Sequence, residues 1–363
     1  MKAWVALAFV LALNLGIAGA ASAHGSNAVT WGEKIGDSPT EIANLPMVDA
    51  VQAANWGGLA EDTSGHVWQW VQSTSPSAIE EPGPTDPLSL GEGYWFSAVV
   101  DSSGDLWTWG DNASGDLCQG TFKKQTTSTP EEVGLGSPAI AASGGASHLM
   151  ILMKDGTVEG CGDNHGGELG DGSNTDSDEP VVVQDLSHVV AISSGDTFDV
   201  ALTASGQVLD WGQNQFGQLG NGTESNSNVP VAVSLPSPAA QIYAGGSTRN
   251  NGQTIALLKN GEVLAWGNNK WGQLGNDSNT NSDVPVEVKF VGNPVITTVA
   301  TEGATSFALD SSGNLYAWGD NSKGEYGDGS SGGNSLVPKI VGTGYTTISA
   351  VADKLVAVKS AAS

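Results

Sequence analysis

The residues of this chain best suited to metal or nucleophilic chemistry are five histidines and two cysteines. His24, His66, His148, His165 and His188 fall in separate stretches, and none has the spacing of a metal or nucleophile motif. His148, in "GGASHLMIL", reads as a buried hydrogen-bonding histidine. His24 would open the mature chain, where a terminal histidine can chelate copper, but nothing else in the sequence suggests the enzymes that use such a site. The stretches "DGSNTDSDEP" and "NDSNTNSDVP" offer oxygen ligands without the spaced acids and closing Glu of a calcium loop, so they read as solvated loops. Cys118 and Cys161 are too few for a disulfide framework; an oxidising compartment would permit one bridge, and the sequence leaves the pairing open. There is no G-x-S-x-G elbow and no glycine-rich phosphate loop leading into a helix. The expectation is a protein with no catalytic centre, no cofactor and no metal.

The first 23 residues have the layout of an export signal: Lys2, then the apolar run "AWVALAFVLALNLGIAGA", then the small residues Ala21 to Ala23. No later segment approaches the ~18–20 apolar residues of a membrane span. Cleavage would leave 340 residues from His24, secreted or at the cell surface, and loss of Lys2 would take the formal charge from −26 to −27. Such a charge repels phosphate backbones and anionic membranes, and it keeps an exported monomer soluble.

The elements that would position any site come from a repeat. Trp31, Trp109, Trp211, Trp266 and Trp318 are each followed by Gly; Trp70 precedes Val71, and Cys161 takes the place of Trp before Gly162. These anchors lie 39 to 55 residues apart and tile the chain from residue 24 to 363. Upstream of each comes a hairpin such as "TIALLKNGEVLAWG", turned at Asn260-Gly261. Downstream come G-x-N, a glycine-bounded turn, a polar loop, Pro and another apolar run. About four short strands per unit, seven times over, predict an all-β, seven-bladed propeller in one domain. "KLVAVK" (Lys354–Lys359) ends where a hairpin turn should follow, and "AVTWG" (Ala28–Gly32) resembles the missing second strand. Pairing near Val29 and Val356 would close the ring and remove open sheet edges.

The tandem pattern WGxNxxGQLGxG…P resembles the RCC1 (regulator of chromosome condensation) repeat. It is carried best by Trp211 to Pro230 and Trp266 to Pro285, and nearly as well by "CGDNHGGELGDG" and "WGDNSKGEYGDG". In "WGDNASGDLCQG", Cys118 stands where the last Gly of GQLG would be. The units anchored at Trp31 and Trp70 are short and lack the GQLG turn. The resemblance implies the propeller fold and leaves function open. The family includes a nuclear nucleotide-exchange factor, a plant ultraviolet photoreceptor and a secreted bacterial β-lactamase inhibitor. Export and acidity argue against the first, the lone Arg249 against the second, and the setting is nearest the third.

The expected function is therefore that of an exported, bacterial-type binding scaffold for a protein or cell-surface polymer, with no nucleic acid partner. Inhibition of an exported enzyme is the alternative, and a channel-sited enzyme ranks last. The loops between anchor and GQLG turn supply the candidate partner-binding residues. Phe216, Trp271 and His165 would be anchors, and Asp163, Glu168 and Asp171 would steer a basic partner. For the large aromatics, a buried place between blades carries equal weight.

Overall fold

The computed structural model describes residues 28–32, 35–55, 57–71, 73–246, 252–301, 303–351 and 354–359. The proposed leader, His24 and Arg249 lie outside the described residues. Twenty-eight strands form seven four-stranded antiparallel sheets, with no helix among the described residues. Blades I to VI span 48–85, 87–133, 139–182, 189–232, 239–287 and 296–343. Within each blade the strands are lettered a to d from the channel outward, so blade III has Ala139–Gly144, His148–Met153, Val158–Gly162 and Ser177–Val182.

Blade VII is assembled from both ends of the chain. Its strands a and b are Tyr345–Val351 and Lys354–Lys359, and its strands c and d are Ala28–Gly32 and Gly36–Glu41. Thr30 pairs with Val356 and Val29 with Ala357, as the half-units at the termini predict. Trp31 and Trp70 both lie inside the ring and are buried.

Strand composition follows from position. Strand b is sandwiched between neighbouring blades on both faces, and "HLMILM", "FDVALT", "QTIALL" and "TSFALD" are buried throughout. Strand d lies on the rim, where every residue of "SDEPVV" and "SDVPVE" is partly or fully exposed. The turns between strands b and c fall at the predicted X-Gly pairs, and Gly156, Gly206 and Gly261 hold the positive φ that a side chain would resist.

The innermost strands are tied together by serines. Ser89 Oγ accepts the Ala142 amide at 3.3 Å, Ser143 Oγ accepts that of Ser194 at 2.9 Å, and Ser193 Oγ accepts that of Ala244 at 3.0 Å. Tyr94 Oη donates to Asp196 Oδ2 at 3.0 Å, from blade II to blade IV, and Tyr243 Oη donates to the Ala350 carbonyl at 2.7 Å. The channel wall is thus a set of satisfied polar groups joining blades.

Candidate partner-binding face

Strands a and c of a blade run parallel, so the a–b turns and the c–d loops emerge on the same face of the ring. The repeated motif builds the floor of that face. In each complete c–d loop a buried Asn accepts one backbone amide and donates to carbonyls across the loop. Asn214 Oδ1 accepts from Leu219 N at 2.9 Å, and its Nδ2 donates to Thr223 O at 2.8 Å and Ser225 O at 3.0 Å. Asn164 and Asn269 make the same set. Such an amide is costly to bury unless bonded in this way.

The last Gly of each GQLG turn lies against the anchor Trp of the next blade. Gly170 faces Trp211, Gly220 faces Trp266, Gly275 faces Trp318, and Gly327 faces Trp31 across the closure. These glycines hold φ between 59° and 68°, and a Cβ on Gly220 or Gly275 would sit 2.7 Å from its indole. Three of the four indole N–H groups donate back to the preceding loop: Trp211 to Glu168 O at 2.7 Å, Trp318 to Gln273 O at 2.8 Å and Trp31 to Glu325 O at 2.8 Å. Trp266 donates instead to Asp210 Oδ2, at 3.1 Å. The buried indole area contributes on the order of 5 kcal/mol per joint before entropy is counted.

The joint between blades II and III is built differently. Cys118 occupies the place of the glycine, with φ 56°, and Cys161 the place of the tryptophan. The two form a disulfide with Cα atoms 5.5 Å apart, so the pairing left open by the sequence is made. Two departures from the repeat prove to be one joint seen from its two sides.

The sequence-predicted site residues divide. His165 stands out from the face with its side chain 78% exposed, bonded through Nδ1 to Asp163. Asp163 and Asp171 are half-buried, and Asp171 Oδ1 accepts from Ser173 N at 2.8 Å. Phe216 and Trp271 are part-buried rather than freely projecting, and Lys270 Nζ lies 5.0 Å from the Trp271 ring centroid.

Glu168 departs from its expected steering role. It is 2% exposed, and its Oε2 accepts the Gly166 amide at 2.7 Å to close the turn. Gln218 and Gln273 do the same for Phe216 N and Trp271 N, so this position of the motif belongs to the turn itself. Burial raises the Glu168 carboxyl above its ordinary range.

Beneath the face, His148 Nε2 lies 3.0 Å from Asp199 Oδ2, with both side chains buried, so His148 is the structural histidine the sequence suggests. Burial alone would lower the imidazole, but the Asp199 carboxylate outweighs it and lifts His148 to about 9. Asp116 is pushed up to about 7 by burial, reinforced by Asp111.

A feature the sequence did not reveal is Trp95. It sits in the a–b turn of blade II, on the same face, and is 55% exposed, while its carbonyl accepts the Asp111 amide at 2.9 Å. Phe122, at the outer end of the same blade's c–d loop, is 54% exposed.

Comparison with known proteins agrees with this geometry. The model of the RCC1-like domain matches residues 92–361. The chain is 31% identical over 324 residues to human E3 ubiquitin-protein ligase HERC2, covering 82% of this chain but 6% of that one. It is 30% identical over 271 residues to the mitochondrial RCC1 domain-containing protein RUG3 of Arabidopsis thaliana, 73% of this chain and 49% of that one. The chain thus spans about half or less of these relatives. Among solved structures it resembles Prp20p from Saccharomyces cerevisiae, with TM-score 0.83, 18% identity, and 98% and 95% of the two chains covered. It also resembles human WBSCR16, with TM-score 0.81, 17% identity, and 93% and 100% covered. The repeats, the seven-bladed ring and the matched residues 92–361 together place this chain in the RCC1-like domain family.

Proposed function

We propose that this chain is an exported, non-catalytic propeller that binds a protein partner through the face bearing the a–b turns and c–d loops. The observation that carries the reading is Trp95, a large aromatic more than half exposed on a turn held by backbone bonds to its own blade. Rigid aromatics of this kind dominate interface energetics because little entropy is lost when they are covered. Phe122 is a second exposed aromatic on the same blade, and the formal charge of −26 favours a basic partner whose association weakens with salt. Export is supported by the leader-like first 23 residues and fits the Cys118–Cys161 bridge, since disulfides persist in oxidising compartments. The non-catalytic reading is supported by the channel, where Ser89, Ser143, Ser193, Tyr94 and Asp196 are engaged in joining blades.

The test is capture from the surface fraction of the producing organism, with wild type and Trp95→Ala side by side. One protein retained by wild type and lost by the variant, at unchanged melting temperature, is the expected result. Equal capture by Trp95→Ala and by Trp95→Ala/Phe122→Ala would remove this face from consideration. Capture of a polysaccharide alone would replace the protein partner.

A further inference from the structure

Among the described residues, blade III carries a constellation that none of its sister loops reproduces. Asp163, His165 and Asp176 each offer one ligand atom, and these atoms all lie within 4.8 Å of one another. His165 Nδ1 bonds to Asp163 Oδ1 and lies 3.2 Å from Asp176 Oδ1. The loop itself sets both carboxylates, because Asp163 Oδ1 accepts the His165 amide at 3.1 Å and Asp176 Oδ1 accepts the Asn164 amide at 2.9 Å.

The sister blades separate what the fold needs from what blade III adds. In blades IV and V the residue matching Asp176 is Asn226 or Asn281, and each accepts the same backbone amide at 2.9 Å. An amide oxygen is therefore enough for the structural bond, and the carboxylate of Asp176 is surplus to it. Asp163 is matched by Gln213 and Asn268, and His165 by Gln215 and Lys270. Only in blade III do all three positions hold residue types that bind metals.

We infer that the Asp163–His165–Asp176 cluster is a binding site for one divalent transition-metal ion of the zinc class, open to solvent on the partner-binding face. An imidazole nitrogen with two carboxylate oxygens suits zinc and its neighbours rather than calcium, which takes six to eight oxygens. Three protein ligands leave a coordination position for water or for a side chain from outside. Ligands of a tetrahedral zinc stand roughly 3.3–3.5 Å apart, close to the 3.2 Å already held between His165 and Asp176. The ion would take the Nδ1 lone pair of a neutral His165, so an imidazolium would release one proton to solvent and an Nδ1–H tautomer would pass its proton to Nε2, and the ion would neutralise two carboxylates. The inference stands independently of the proposed partner, since it concerns the ion alone.

The experiment is a zinc titration of the full tag-free chain by calorimetry, with calcium as a parallel arm. The comparison variant is Asp163→Asn/His165→Gln/Asp176→Asn, in which every new residue already occupies the matching position of blade IV or V. Wild type is expected to bind one zinc per chain more tightly than about 100 μM. The variant is expected to lose at least about tenfold in affinity while keeping its melting temperature. Should the triple variant fold poorly, Asp176→Asn alone is measured, since that change keeps the loop's structural bond. No zinc uptake by wild type, undiminished uptake by the variants, or calcium bound as tightly as zinc would each overturn the assignment. Undiminished uptake would point elsewhere on the chain, His24 included.

Discussion

The joint between blades II and III and the four joints from blade III round to blade VII do the same job with different chemistry. In the four, a glycine at positive φ lets an indole from the next blade lie flat against the turn. In the one, both partners are replaced together and the contact becomes the covalent Cys118–Cys161 bridge. The substitution shows what the repeated Gly and Trp are for. They are fasteners between blades, and a departure from the repeat is tolerated when the facing residue departs with it. Blade I shows the opposite case. The c–d loop of blade VII is short, and among the described residues the buried Trp70 Nε1 has no hydrogen-bond partner.

The largest loss of stability is expected beside the joint of blades III and IV. That joint has a second fastener, the buried His148–Asp199 pair, and His148→Ala would strand a buried carboxylate at a cost of about 3–5 kcal/mol. The measurement is denaturant unfolding at pH 7. Because His148 is raised to about 9 in the folded protein, its contribution is full below the unfolded value of about 6.5 and is lost as pH rises through 9. The melting temperatures of wild type and His148→Gln should therefore converge as pH rises from about 6.5 to about 9. A constant gap across that range would mean that His148 acts through packing alone.

A smaller but still large loss is expected from Gly275→Val, which sets a β-branched residue at φ 66° and drives its Cβ toward Trp318. The expected cost is about 3 kcal/mol, from strain and lost packing together. Breaking the other kind of joint with Cys118→Ser should cost about 2–4 kcal/mol, and the variant's stability should no longer respond to reductant. At the far end of the scale, Trp95→Ala should change stability by about 0.5 kcal/mol or less, since more than half of its side chain is exposed.

Much of this fold could be read from the chain, and the reasons are local. The b–c hairpins announce themselves through X-Gly turns, and the anchors count the blades. The orphan strands Ala28–Gly32 and Lys354–Lys359 each lack what the other supplies. The candidate site was less legible because its residues answer to neighbours that sequence order hides. Glu168 looks like a surface carboxylate until its alignment with Gln218 and Gln273 shows a turn-closing position. Cys118 and Cys161 sit at positions that face each other only once the joint geometry is known. Asp176 reaches His165 because the loop folds back on itself after the G-x-N. Trp95 lies in a turn outside the repeated motif, so no sister residue marks it.

The central claim is that the disulfide stands in for a Gly–Trp fastener, and the direct test is to restore that fastener. Unfolding free energies of wild type, Cys118→Gly, Cys161→Trp and the double variant Cys118→Gly/Cys161→Trp would be measured with and without reductant. Each single variant should lose stability, the double variant should recover most of the loss, and only wild type should respond to reductant. A double variant no more stable than Cys118→Gly alone would contradict the claim.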